Sequence, residues 1–310
     1  MGPRTALAAC LAAVLGVAVL AVPRTRSALT SFGQPSQVAA AFSAGSPSPS
    51  PSPLATAQIM VQPAPPGPTL AAPADPASIK APGNPSFFSW AFLDRRTGSV
   101  VGSANSATGT NTTESMIKAW IAADYLRMHD PSDTDRTNLR LMIIDSNDDI
   151  AEDYYRMDGT NAVVKRLIST CHLSHTTMVD GYWSRTMMTP QDAVQYGRCI
   201  GDGTAAGPKW TGWLLDVMRQ VRGGVWTGPG REPVTKQGGR WGIIDGLPPE
   251  IAAQTSIKNG FTGWNDGWHV NCLAIHQDWV LNVMVRIGSE QQAANVCKAV
   301  AQQLVVTPQV

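Results

Sequence analysis

The placement of proline divides this 310-residue chain into a part that cannot form a packed core and a part that can. Fourteen of the 23 prolines lie within residues 23–85, and residues 46–53 alternate serine with proline. Few large apolar side chains accompany them, so burial cannot offset the entropy lost on ordering this segment. We therefore predict a disordered Pro/Ser/Ala-rich linker over residues 29–85, followed by one folded domain over residues 86–310.

Residues 1–28 have the pattern of an export signal. Arg4 is followed by an apolar run over residues 6–22, and then by Pro23 and small residues. This run is at the lower limit of length for spanning a bilayer, so a cleaved signal peptide and an uncleaved signal anchor both remain open. We expect a secreted or cell-surface protein, tethered to the membrane if the leader is retained.

The charge balance gives no indication of a nucleic-acid partner. Three of the 24 Lys and Arg residues lie in the leader, which leaves 21 against 23 Asp and Glu, a formal net charge of −2. No basic patch is present in the sequence. His172 and His175 are too loosely spaced to suggest zinc, and no metal or cofactor is expected. We expect a monomer that acts on a small molecule.

Four cysteines follow Cys10, and an even number in an exported chain favours two disulfides. Sequence alone allows three pairings. We expect pairing between sequence neighbours, which joins Cys171 to Cys199 and Cys272 to Cys297.

Strand patterns occur at both ends of the folded part and helix patterns lie between them. Strands are predicted over residues 88–93, 99–103, 254–258, 268–276 and 279–287. Helices are predicted over residues 114–128, 148–157, 161–168, 189–200 and 210–221, and from 289 onward. Thr160 and Ser289 are predicted N-caps, with Gln292 completing a capping box at the second. This order predicts an α+β domain whose sheet joins the two chain ends.

Ser115 and Lys118 form the only Ser-x-x-Lys of the chain, at the start of a predicted helix. Residues three apart share a helix face, so the amine can reach the hydroxyl and take its proton. About one such match is expected by chance in a chain of this length, so the motif alone does not establish a nucleophile.

Three short stretches occur in the order that marks the serine β-lactamases and penicillin-binding DD-peptidases. They are Ser115-Met116-Ile117-Lys118 for SxxK, Asp145-Ser146-Asn147-Asp148-Asp149 for SxN, and Lys258-Asn259-Gly260 for KTG. Residues 188–193 also resemble the TTP-containing helix start of that superfamily. The chain therefore resembles its class A-like, exported actinobacterial members from residue 87 to about residue 305. The resemblance implies a five-stranded antiparallel sheet with an inserted helical subdomain.

The resemblance also implies roles for individual residues. Ser115 is the implied nucleophile and Lys118 its base, while Ser146 with Lys258 relays the proton toward the leaving nitrogen. The backbone N–H groups of Ser115 and Phe261 are the implied oxyanion hole. The implied substrates are β-lactams or D-alanyl peptides of the cell wall, whose carboxylate Lys258 and the Asn259 amide would hold. Substrate contacts are expected from Asp148, Asn259, Gly260 and Thr262.

Two motif residues have alternative interpretations. Ser146 precedes an acidic first turn, where serine commonly caps a helix. Lys236 also begins a KxG sequence, but its glycine-rich flanks place it in a loop. The position of Ser146 between the other two elements favours the catalytic interpretation.

Two departures from the family pattern limit the predicted activity. Asp148 stands where the family has Asn, and a carboxylate cannot donate the hydrogen bond of an amide. The loop between Cys171 and Thr189 lacks the glutamate that class A enzymes use in deacylation; its one carboxylate, Asp180, is either a substitute base or a partner of Arg185. We expect acylation to be easier than deacylation. The alternative is a catalytically weak or inert domain that acts as a cell-envelope binding module.

Overall fold

The protein has mixed α and β structure, which confirms the predicted α+β class. The computed structural model describes residues 67–226 and 237–307. Its strands are β1 (Thr69–Leu70), β2 (Phe87–Asp94), β3 (Val100–Gly102), β4 (Asn111–Thr112), β5 (Met187–Met188), β6 (Ser256–Ile257), β7 (Gly260–Trp264), β8 (Gly267–Ile275), β9 (Trp279–Ile287) and β10 (Val305–Val306). Its α-helices are α1 (Lys118–Met128), α2 (Asp133–Ile144), α3 (Asp148–Met157), α4 (Asn161–Thr170), α5 (Pro190–Gly201), α6 (Pro208–Arg219), α7 (Pro249–Ala252) and α8 (Glu290–Leu304).

The main sheet joins the two ends of the folded chain, as predicted. Its antiparallel order is β3-β2-β9-β8, and both β6 and β7 pair with the free edge of β8. Strands β6 and β7 pair with β8 in one continuous register, since Ser256 lies opposite Ile275 and Gly260 opposite Asn271. They therefore share one position in the sheet, and the six segments fill the five predicted positions. Lys258 and Asn259 interrupt what is otherwise one edge strand.

Helices α5 and α8 cover opposite faces of this sheet. Successive side chains of a strand point to opposite faces, so Cys272 and Leu273 of β8 face opposite ways. Cys272 is bonded to Cys297 of α8, whereas Leu273 lies against Gly197 of α5, where an added Cβ would be 3.1 Å from its Cδ1. With both faces covered, β9 is buried along almost its whole length. This explains its nearly continuous apolar sequence.

The helical part is built around α1, whose residues from Lys118 to Leu126 are buried on all sides. It packs against α2, α3, α4 and α6. Helix α2 was not predicted from the sequence, although Ser132 and Asp135 form a capping box at its start.

Two predicted caps differ from the structure. Thr160 precedes α4 as expected, but it has a φ of 52° and its side chain caps nothing. Ser289 does cap α8, since its Oγ accepts the Gln292 N–H at 3.3 Å. The Gln292 side chain contacts that same Oγ, at 3.2 Å, and the reciprocal half of the box is not formed.

Both predicted disulfides are confirmed. Cys171 at the end of α4 is bonded to Cys199 of α5, and Cys272 of β8 to Cys297 of α8. The first bond ties the helical part to the helix under the sheet. The second ties the sheet to its other covering helix.

The folded part begins before residue 86, contrary to the predicted linker boundary. Strand β1 pairs with β10, and both Leu70 and Ile79 are buried in the core. Lys80 exchanges hydrogen bonds with the Gln303 side chain through its backbone N–H and C=O, both at 2.9 Å. Two well-placed apolar residues therefore order a proline-rich segment. The predicted leader, residues 1–28, lies outside the described residues. Among the residues that the structure describes, no helix is long and apolar enough to cross a bilayer.

Candidate active site

Ser115 lies on a tight turn at the entrance to α1. The turn, Glu114–Ile117, is 3₁₀ rather than the predicted α-helix, and α1 begins at Lys118. Ser115 is half-buried, and its Oγ lies 2.9 Å from the Nζ of Lys118. The spacing of three residues thus brings the two groups into hydrogen-bond contact, as predicted.

Lys118 is fully buried and its amine joins several groups at once. Its Nζ lies 2.5 Å from the backbone oxygen of Ser146 and 3.2 Å from the Ser146 Oγ. It also forms an ion pair of 2.5 Å with Asp148, whose side chain is 59% exposed. The ring of Trp183 lies 5.2 Å from the same nitrogen.

Ser146 does not cap helix α3, so the alternative interpretation of this residue is wrong. Asn147 is the cap, and its Oδ1 accepts the N–H of Ile150 at 2.9 Å. Ser146 has a φ of 56°, a conformation that is uncommon for residues other than glycine and is frequent at functional sites.

Lys258 completes a continuous line of contacts. Fully buried in the break between β6 and β7, it places its Nζ 2.9 Å from the Ser146 Oγ and 3.1 Å from the Asn259 backbone oxygen. Ser146 thus lies between two lysine amines. The line runs from Ser115 through Lys118 and Ser146 to Lys258.

Burial favours the neutral form of both amines. Desolvation lowers the pKa of Lys118, although the carboxylates of Asp148 and Glu114 oppose the shift. Desolvation, together with the charge of Lys118, holds the pKa of Lys258 well below its ordinary value. A neutral amine can accept a proton, which a general base requires.

Strand β7 runs against the 3₁₀ turn that carries Ser115. A Cβ added at Gly260 would lie 2.2 Å from the Thr113 oxygen and 2.9 Å from the Ser115 nitrogen, so only glycine fits there. The N–H of Lys258 donates to Leu273 of β8, and bonded and non-bonded positions alternate along an antiparallel pair. The N–H of Phe261, three positions later in the same register, therefore points away from β8.

Asn259 does not present its amide to the site, contrary to expectation. Its Nδ2 donates to the backbone oxygens of Gly239 and Trp241, both at 2.8 Å, and the side chain is buried. Both N–H donors are therefore used, and none is available for a substrate carboxylate.

Thr262 is held by Glu114, a residue that the sequence analysis used only as a helix start. The Glu114 carboxylate accepts hydrogen bonds from Thr262 Oγ1 at 2.9 Å, Trp264 Nε1 at 3.0 Å and Thr112 Oγ1 at 2.7 Å. Glu114 is buried and has a φ of 47°. It ties the turn that carries Ser115 to β7. The one signal for it in the sequence is an acidic residue directly before the Ser-x-x-Lys motif.

Two cavities meet at Ser115. The loop cavity, of about 450 Å³, extends toward residues 181–185 and also includes Glu114, Asp149, Glu152 and Trp264. The strand cavity, of about 470 Å³, includes Ser146, Gln237, Gly263 and Trp268. Both cavities are lined by Ser115, Asp148, Phe261 and Thr262. A ligand that spans the two would place its central atoms at the Ser115 hydroxyl.

The loop that lacks the family glutamate contributes other groups. Asp180 accepts a hydrogen bond from the Asn161 side chain and does not pair with Arg185, so the second of its two alternative roles is wrong. Glu152 of α3 reaches the loop cavity, where its Oε2 accepts from Trp183 Nε1 at 3.0 Å. Neither Glu152 nor Trp183 was singled out from the sequence, because no motif marks them.

Comparisons with known proteins agree with this architecture. No family model matches the chain. A Mycobacterium tuberculosis protein named "Putative lipoprotein LppW" is 30% identical over 179 residues, which are 55% of this chain and 52% of that protein. The chain thus spans about half the length of the curated relatives it matches.

Solved structures agree over a larger part of the chain. A class A β-lactamase from Mycobacterium abscessus superposes with a TM-score of 0.51 at 13% identity and covers 70% of this chain and 92% of its own. A variant of PBP-A, solved as an acyl-enzyme complex with penicillin G, has the same TM-score and identity, with coverage of 70% and 89%. The chain therefore has the fold of the class A β-lactamases and PBP-A.

Proposed function

We propose that this protein is an exported serine hydrolase that forms an acyl-enzyme with β-lactams or with D-alanyl peptides of the cell wall. The observation that carries the proposal is the line of contacts from the Ser115 Oγ through Lys118 Nζ and Ser146 Oγ to Lys258 Nζ, at 2.9, 3.2 and 2.9 Å. A binding module has no need for these four side chains in register. The fold shared with β-lactamases and PBP-A supports the same chemistry.

The contacts suggest how acylation proceeds. Neutral Lys118 accepts the proton of the Ser115 hydroxyl as Oγ bonds to the substrate carbonyl carbon. The outward N–H of Phe261 and the N–H of Ser115, near the start of the α1 segment, would stabilise the oxyanion. As the carbon–nitrogen bond breaks, Ser146 passes a proton to the leaving nitrogen and is itself reprotonated by the lysines. A positioned base of this kind contributes about 10²–10⁴ in rate.

Release of the acyl group is proposed to be slow. Deacylation needs a base that activates water, and three carboxylates of α3 line the loop cavity. Asp148 pairs with Lys118 and Asp149 is exposed, which leaves Glu152 as the partly buried candidate. Both of its oxygens are already engaged, one by Trp183 and the other by Arg156 at 2.7 Å. Acyl-enzyme should therefore accumulate.

A binding module on the same fold is the second candidate. The ion pair between Lys118 and Asp148 favours it, because this contact stabilises the protonated amine, which cannot act as a base. The Asn259 amide, turned toward two carbonyls, also removes an expected substrate contact.

One experiment separates these functions. The purified protein is incubated with a reporter penicillin and its intact mass is followed over time, alongside a Ser115→Ala variant. A stable adduct on the parent alone indicates a penicillin-binding acyl-enzyme, and a transient adduct with consumption of drug indicates a β-lactamase. Absence of any adduct at millimolar drug would refute the catalytic proposal in favour of the binding module.

We also propose an extracytoplasmic location. Two disulfides in the described domain fit an oxidising compartment. The partial match to LppW, which is named as a putative lipoprotein, points the same way. A monomer tethered through the apolar N-terminal segment or released by its cleavage would act at the cell wall.

A further inference from the structure

Arg185 is a cation held at the loop cavity by aromatic rings alone. Its guanidinium carbon lies 4.3 Å from the ring centroid of Tyr182 and 5.3 Å from that of Trp264. Among residues 67–226 and 237–307, its side chain has no hydrogen-bond or ion-pair partner. Stacking restricts the orientation of a guanidinium and leaves its in-plane N–H groups available. These are the groups that bind a carboxylate in two parallel hydrogen bonds.

The two rings that hold Arg185 are themselves unusual. Tyr182 is 51% exposed and Trp264 is 37% exposed, which makes both exceptions among the large apolar side chains of the described domain. Trp264 is fixed by its Nε1 contact to Glu114, the residue next to Ser115. The two rings, which we call the Tyr182–Trp264 platform, therefore hold Arg185 near the turn that carries Ser115.

The position of Arg185 indicates which half of a ligand it meets. Ser146, the proposed donor to the leaving nitrogen, lines the strand cavity and not the loop cavity, whereas Arg185 lines the loop cavity and not the strand cavity; Ser115 lines both. A leaving group directed toward Ser146 leaves the acyl half of the substrate in the loop cavity. Arg185 would therefore contact the acyl half.

We propose that Arg185 binds a carboxylate on the acyl half of the substrate, so that the enzyme prefers acidic acyl donors. This inference rests on the proposed function and names its substrate class. The expected ligand carries, besides the scissile carbonyl, an anionic group within reach of the Tyr182–Trp264 platform.

Three of the four other charged groups that line the loop cavity are engaged elsewhere. Asp148 pairs with Lys118, Glu152 with Arg156, and Glu114 accepts three hydrogen bonds. Asp149 is the remaining carboxylate of the lining. These carboxylates repel any anionic ligand. A preference for an anionic ligand that depends on Arg185 would therefore identify a direct contact with Arg185.

Three penicillins that differ at one carbon provide the test. Benzylpenicillin is neutral at the side-chain α carbon, carbenicillin carries a carboxylate there, and ampicillin carries an amine. The rate of adduct formation is measured by intact mass for the parent, Arg185→Gln and Arg185→Lys. The control is Arg96→Gln, which changes an arginine whose side chain is 74% exposed in the turn between β2 and β3.

We expect the parent to react with carbenicillin at least about threefold faster than with benzylpenicillin, and most slowly with ampicillin, because a partly exposed charged contact contributes modestly. Arg185→Gln should abolish this order. Arg185→Lys should retain part of the preference, and Arg96→Gln all of it. Faster reaction with ampicillin, or an order that survives in Arg185→Gln, would overturn the inference.

A binding measurement separates this inference from the proposed chemistry. Carbenicillin and benzylpenicillin are titrated calorimetrically into Ser115→Ala, with and without Arg185→Gln. If the parent forms no adduct but carbenicillin still binds more tightly in an Arg185-dependent manner, the hydrolase proposal fails and the carboxylate site stands. If adducts form and the two drugs bind and react alike, the carboxylate site fails and the hydrolase proposal stands.

Discussion

Replacing Asp148 by Asn should shift the pH dependence of acylation, because Asp148 is the carboxylate in direct contact with the proposed base. Its Oδ1 lies 2.5 Å from Lys118 Nζ and stabilises the protonated amine. Desolvation lowers the pKa of Lys118, and the carboxylate offsets part of that shift. Asp148→Asn removes the offset, so the pKa of Lys118 should fall further.

The size of the shift follows from the geometry of the pair. Two unit charges 2.5 Å apart interact by about 1.7 kcal/mol at the dielectric constant of water. We use this value because 59% of the Asp148 side chain is exposed. One pKa unit corresponds to about 1.4 kcal/mol, so the pKa of Lys118 should fall by about one unit. Below that pKa, the neutral fraction and the acylation rate should rise about tenfold.

The assay is the second-order rate of adduct formation with benzylpenicillin from pH 5 to pH 10. The rate should increase with pH as Lys118 loses its proton, and the midpoint for Asp148→Asn should lie about one unit below that of the parent. Asp149→Asn removes the same charge one residue away, outside the contact with Lys118, and should move the midpoint little. An unchanged or raised midpoint in Asp148→Asn, or equal shifts in both variants, would refute the reasoning.

Three further predictions concern the backbone approach, the second lysine and one disulfide. Gly260→Ala should reduce adduct formation by about 10²-fold, because its Cβ would lie 2.2 Å from the backbone oxygen of Thr113, just before the turn that carries Ser115. Gly212→Ala should leave adduct formation unchanged, because no atom lies within 4 Å of its Cβ. Lys258→Met should abolish acylation yet stabilise the fold at neutral pH. Because the pKa of Lys258 is lowered in the folded state, the unfolded state binds more protons. The free energy of unfolding of the parent, measured in urea, should therefore rise with pH toward 10.5, and that of the variant should not show this rise. Replacing Cys272 and Cys297 by Ala should cost about 3 kcal/mol in the same assay, and no change in midpoint would contradict the bond's stabilising role.

The contact between Ser115 and Lys118 was predictable because helical spacing alone brings such residues together. The contacts of Ser146 and Lys258 were not, since they close over 112 residues of sequence. Only the order of the three motifs pointed to them. The disulfides were predictable because their cysteines are neighbours in the sequence. The edge strand before Lys258 was predictable because two further strand patterns follow it.

Residues whose role depends on orientation escaped the sequence analysis. Asn259 has the composition of a substrate-binding amide, but two carbonyls of another segment turn it inward. Glu114 matters because its backbone adopts a positive φ that directs its carboxylate to β7. One of the two alternatives for Asp180 paired it with Arg185, whereas Arg185 stacks on two aromatic rings at the loop cavity. Each outcome depends on a tertiary contact that no local pattern encodes.

Asp148 stands where the resembled family has Asn, and its negative charge is consistent with two buried lysines that contact one serine. Lys118 and Lys258 both contact the Ser146 Oγ, and repulsion between them lowers the pKa of Lys258. Two protonated amines in this buried site would be strongly destabilising, whereas one protonated amine beside Asp148 is compensated. At most one of the two amines is therefore expected to carry a proton at a time, and Ser146 contacts both. In the proposed mechanism Lys118 must be neutral to accept the proton of Ser115, so we expect Asp148, which favours the protonated amine, to set the pH at which acylation begins.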